Sequence, residues 1–128
     1  MKKHNVLIIE DDEDIGSLIK DSLECHLQLS SEHTTNAESA IFKVVHNYYD
    51  VIISDYRLPG ISGMELINLL RDSSQYSQTP IIMMSGFFKE MIMASDENKF
   101  ENVTFIEKPF EVDKLIREVE SILPSLAA

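Results

Sequence analysis

Two kinds of apolar pattern alternate along this chain, and the alternation narrows the folds open to it. Val6-Leu7-Ile8-Ile9, Val51-Ile52-Ile53, Ile81-Ile82-Met83-Met84 and Val103-Thr104-Phe105-Ile106 are short continuous runs. Such runs suit strands buried on both faces. Between them apolar residues recur at helical spacing. Ile15, Leu18, Ile19, Leu23 and Leu27 mark one helix, and Ala37, Ala40, Ile41, Val44, Val45 and Tyr48 a second. Met64, Ile67 and Leu70 mark a third, Phe88, Met91, Ile92 and Ser95 a weaker fourth, and Val112, Leu115, Ile116, Val119, Ile122 and Leu123 the last. An extended piece around Ser31 to Thr35 is needed only to keep the alternation. The pattern predicts five βα units in one domain over residues 1–128, an α/β fold with a parallel sheet and helices on both faces. Pro124 is expected to stop the last helix.

Four of the runs end in a residue suited to phosphate or metal chemistry. Asp11 and Asp12 follow the first, Asp55 follows Ser54, Ser85 follows Met84, and Lys108 follows Glu107. In open α/β sheets ligands bind outside the carboxyl ends of the strands, so these side chains are expected to converge. Three close carboxylates repel one another unless a cation offsets them, and an oxygen-only set of this kind suits Mg²⁺. Glu13 and Asp14, in the same acidic run, are read as acids favouring the positive N-terminus of the first helix. Asp55 is the candidate nucleophile, since a carboxylate can attack phosphorus and form an acyl phosphate. Ser85, the backbone N–H groups near Gly86 and the ammonium of Lys108 are candidates for holding phosphoryl oxygens.

Composition removes other classes. A net charge of −11 opposes direct nucleic-acid binding, which rests on neutralising phosphates. No apolar run approaches the ~20 residues that span a membrane, and the first is too short for a signal peptide. A cytoplasmic location is expected. Cys25 is the single cysteine, so no internal disulfide can form. His4, His26, His33 and His46 show no metal-ligand spacing.

Ile9-Glu10-Asp11-Asp12, the stretch Ile53-Ser54-Asp55-Tyr56-Arg57-Leu58-Pro59-Gly60-Ile61-Ser62-Gly63-Met64-Glu65-Leu66, Met84-Ser85-Gly86 and Glu107-Lys108-Pro109-Phe110 resemble, in order and spacing, the motifs of the receiver domain of two-component response regulators. The resemblance covers essentially the whole chain. It implies a flavodoxin-like, doubly wound five-stranded sheet of order 2-1-3-4-5. It implies that Asp55 accepts a phosphoryl group from a histidine kinase or a histidine phosphotransfer protein. It implies Mg²⁺ held by Asp12, Asp55 and the backbone carbonyl of Arg57, with Asp11 acting mainly through water. Ser85 would bond a phosphoryl oxygen, Lys108 would pair with the phosphate, and the Lys108–Pro109 bond would be cis. A downstream protein would read the face made by the fourth helix, fifth strand and fifth helix. A phosphorylation-dependent homodimer is a further expectation of the resemblance.

The chain departs from the pattern in places. Phe105 stands where the family commonly has a switching tyrosine, so the ring can swing but brings no hydroxyl. Lys99-Phe100-Glu101-Asn102 replaces the usual glycine-alanine turn, and Phe87, Phe88, Met91, Ile92 and Met93 follow Gly86 closely. If several are exposed they form a patch for a partner. The main reading is a phosphorylation-controlled switch that is not an enzyme acting on outside substrates. A phosphorylation-independent interaction module is one alternative. An aspartyl-phosphate phosphohydrolase of the haloacid dehalogenase type is another, disfavoured because Arg57 occupies the place of its second aspartate.

Overall fold

A computed structural model describes residues 4–86 and 101–126. In chain order the elements are β1 (His4–Ile9), α1 (Glu13–His26), β2 (Leu29–Thr34), α2 (Ala37–His46), β3 (Val51–Asp55), β4 (Arg57–Leu58), β5 (Ile61–Ser62), α3 (Gly63–Asp72), β6 (Ile81–Ser85), β7 (Val103–Glu107) and α4 (Val112–Leu126). The main sheet has the order β2-β1-β3-β6-β7, and every pair in it is parallel. The short pair β4 and β5 forms its own antiparallel ladder. With that pair set aside, the order is 2-1-3-4-5, the flavodoxin-like arrangement. The fourth helical stretch, Phe88 to Ser95, and the Phe87–Met93 patch lie outside the described residues.

Alternation along the central strands builds two cores. Val6, Ile8, Val51, Ile53, Ile82 and Met84 face one side, where α1 packs Ile19 and Leu23 and α4 packs Leu115, Ile116 and Val119. Leu7, Ile9, Ile52, Ile81 and Met83 face the other, against Leu66, Ile67 and Leu70 of α3 and Ala40 of α2. β1, β3 and β6 are buried on both faces, which is why they read as unbroken apolar runs. β2 lies at the sheet edge, with its side chains buried only in part. Its pattern is therefore weak, and it begins two residues before the expected Ser31.

Helix starts follow local chemistry. Asp12, Asn36 and Ser62 each cap a helix by accepting backbone N–H groups of the first turn. At the other end, α4 continues to Leu126, past the expected stop at Pro124. Pro124 lies in the final turn, so its missing N–H forfeits one bond near the end of an established helix. Among the described residues no helix is long and apolar enough to cross a membrane.

The amino-terminal rim of the sheet is stitched by hydrogen bonds. Arg71 donates through Nη1 to the Tyr76 carbonyl (2.7 Å) and through Nη2 to the Glu101 carbonyl (2.9 Å). Asn102 donates to the Gln78 carbonyl, and the Tyr76 hydroxyl donates to the Asn47 carbonyl. Asn5 and Asp50 exchange bonds across β1 and the entry to β3.

Candidate functional site

The opposite rim, at the carboxyl ends of the strands, carries the chemistry. β3 ends at Asp55, which is 8% exposed, and β6 ends at Ser85, which is buried. Lys108 follows β7, and its backbone N–H donates to the Ser85 carbonyl at 2.7 Å. The Lys108–Pro109 peptide is cis. Lys108 Nζ lies 3.1 Å from Asp55 Oδ2 and 3.5 Å from Glu10 Oε2. The loop after Asp55 is fixed closely. The Gly63 N–H donates to the Tyr56 carbonyl at 2.6 Å, and a Cβ on Gly63 would fall 2.7 Å from the Tyr56 ring and 2.9 Å from Met83 Sδ. Gly86, just past Ser85, has open space where a side chain would stand.

Glu10, Asp11 and Asp55 bring one carboxylate oxygen each within 4.8 Å of the others. Asp12 is not brought into this group. It is exposed, and its Oδ1 accepts from the N–H groups of Asp14 (2.9 Å) and Ile15 (3.1 Å) as the cap of α1. The acid pair facing Asp55 is therefore Glu10 and Asp11, one residue earlier than the Asp11 and Asp12 read from the sequence. The capping role was legible, since an Asp directly before a helix-period stretch is a standard start signal. Glu10 was passed over as one acid in a run of five.

Glu10 is the electrostatic oddity of the site. It is 1% exposed, and its Oε2 receives no hydrogen bond among the described residues. Burial, and next the charge of Asp55, push its carboxyl up to about 7, although Lys108 pulls the other way. Burial by itself would lower Lys108, but the charges of Asp55 and Glu10 outweigh it and hold the ammonium above its ordinary value. A buried carboxylate oxygen held only by an ion pair with Lys108 at 3.5 Å, beside two further carboxylates, belongs to a donor set that fits a divalent cation.

Phe105 lies on β7, half-buried against the core that contains Met83 and Leu66. Arg57 lies on β4, two residues past Asp55, with its side chain exposed. A hollow of about 420 Å³ beside the site is lined by Tyr56, Arg57, Leu58, Ile61, Ser62 and Glu65. A second, of about 400 Å³, lies beyond Lys108 and is lined by Ile15, Leu18, Ile19, Pro109, Phe110 and Val112.

Regulatory protein VanRB of Enterococcus faecalis is 30% identical to the chain, over 92% of this chain and 51% of that protein. Transcriptional regulatory protein FixJ of Bradyrhizobium diazoefficiens is 30% identical, over 94% of this chain and 57% of that protein. The chain spans about half the length of these relatives. The chemotaxis response regulator CheY4 of Vibrio cholerae shares the fold, with a TM-score of 0.84 over 94% of this chain and 99% of that one, at 24% identity. The response regulator receiver domain family model matches residues 6–120. That match takes in every strand end described above, and the chain therefore belongs to the response regulator receiver domain family, whose members are phosphorylation-controlled signalling switches.

Proposed function

We propose that Asp55 is the phosphoryl acceptor of this switch, that the donor is a histidine kinase or a histidine phosphotransfer protein, and that the exchange takes place in the cytoplasm. The observation that carries the reading is the clustering of Asp55 with Lys108 at 3.1 Å and with Glu10 and Asp11. A carboxylate oxygen of Asp55 attacks the phosphorus of a phosphohistidine. The N–P bond breaks, the electron pair leaves on the imidazole nitrogen, and an acyl phosphate forms. Lys108 faces the phosphoryl oxygens as charge builds on them. The Ser85 hydroxyl and the backbone at Gly86 supply donors on the other side. Water later cleaves the acyl phosphate and resets the switch.

Mg²⁺ fits the donor set: Asp11, Asp55 and the backbone carbonyl of Arg57 would hold it, with the Glu10 carboxyl beside them. When bound it offsets the charge of carboxylates and phosphate. The place first given to Asp12 passes to the Glu10–Asp11 pair because Asp12 is engaged by the helix. The chain acts as a switch and not as a phosphohydrolase, since Arg57 leaves no second carboxylate two residues past Asp55 to activate water. The receiver domain would signal to a downstream protein through β7, α4 and the helix expected before β7. Light scattering with and without beryllofluoride reads whether a homodimer forms.

Intact mass after incubation with acetyl phosphate and Mg²⁺ is the test. One added phosphoryl group is expected on the wild type, none on Asp55→Asn, and none in excess chelator. Equal labelling of Asp55→Asn would remove the acceptor assignment.

A further inference from the structure

The backbone of Glu10 is held on both sides by β2. Its N–H donates to the Thr34 carbonyl at 3.0 Å. Its carbonyl lies 2.8 Å from Nε2 of His33. A carbonyl can only accept, so Nε2 carries the proton of that bond. The imidazole reaches this position because α1 has no side chain in its path. A Cβ on Gly16 would lie 2.0 Å from His33 Nε2 and 2.1 Å from Cε1. Gly16 is buried in the interior of α1, where glycine costs roughly 0.5–1 kcal/mol relative to alanine. The seat for the ring offsets that cost.

The Glu10 carbonyl belongs to the peptide that joins Glu10 to Asp11. Its direction sets the plane of that peptide, and the plane sets where both side chains leave the backbone. We propose that His33 is a positioning residue for the acid pair, fixing Glu10 and Asp11 toward Asp55 through the Glu10 carbonyl. The inference rests on the reading of these acids as the cation site. His33 does not touch the cation or the phosphoryl group. It acts from the sheet edge, two strands away from Asp55.

Mg²⁺ affinity measured by calorimetry tests this without phosphorylation. His33→Phe keeps a ring and loses the donor. His33→Gln places an amide N–H the same number of bonds from Cβ. His33→Phe is expected to bind Mg²⁺ about 3- to 10-fold more weakly, the range for one lost hydrogen bond, and His33→Gln to recover most of that loss. Circular dichroism checks that both remain folded. If Phe disrupts the fold, the comparison passes to Gly16→Ala, which displaces the ring and should weaken Mg²⁺ binding in the wild type but not in a His33→Ala background. Wild-type affinity in a folded His33→Phe variant, or a Gly16→Ala effect that persists without His33, would overturn the positioning role alone. A wild type that binds no Mg²⁺ would overturn the cation site and this inference with it.

Discussion

Glu10 is a carboxyl group shut away from water beside a second carboxylate, and its proton affinity follows from that. Unfolded, it loses its proton near the ordinary 4.5; folded, it keeps the proton up to about pH 7. Between those values the folded chain binds more protons than the unfolded one, so stability falls as pH rises through the window. Without divalent cation, the wild type should lose on the order of 2 kcal/mol between about pH 5 and 8. Glu10→Gln should flatten that slope and be the more stable protein at pH 8, as read from urea unfolding at each pH. A wild-type slope retained in the variant would place the titrating group elsewhere. Asp55, Ser85 and Lys108 were legible because each follows an apolar run. Glu10 also follows one, but four neighbouring acids of the same charge hid its position.

At the scale of elements, the start of α1 separates two jobs that the sequence had joined. Asp12 caps the helix through two backbone N–H groups, so Asp12→Ala should cost about 1 kcal/mol and leave acetyl phosphate labelling intact. Asp11→Asn should do the reverse, costing little stability and raising the Mg²⁺ requirement for labelling. Loss of labelling in Asp12→Ala at a temperature where it is fully folded would return Asp12 to the cation site. On the outer side of α1, Ile15 and Leu18 are 40% and 53% exposed and line the groove that runs to Lys108 and Phe110. In the proposed phosphotransfer a protein donor would dock across that groove, whereas acetyl phosphate need not. Leu18→Asp should therefore slow transfer from a phosphorylated donor protein at least several-fold and leave acetyl phosphate labelling unchanged. The strands and helices themselves were readable where burial is two-sided or amphipathic. β4 and β5 were not, because two residues apiece around Pro59 and Gly60 carry no period.

For the whole molecule, a cation at the proposed site would be linked to the fold. A ligand that binds only the folded state stabilises it by mass action. At pH 8, where the carboxylates of the site repel one another most, Mg²⁺ at 100 times its dissociation constant should add about 2.7 kcal/mol. Excess chelator should remove the gain, and Asp55→Asn should show less of it. Identical melting curves with and without Mg²⁺ would speak against a cation at this rim. Strand order was legible only through family resemblance. Apolar runs reveal which segments are central, but pairing is set by crossovers that no local pattern encodes.

The two ends of the sheet differ in what the cationic side chain at each one holds. Around Arg71, Tyr76 and Asn102 the bonds run to backbone carbonyls, whose partial charge no signal alters. Around Lys108 the ties run to two carboxylates, where a bound cation or an added phosphoryl group would change the net charge that the ammonium faces. The protein is thus built like a book with a sewn spine. A chemical event at the fore-edge would act on the ties of Lys108 there, while the bonds at the opposite end hold the strands in register.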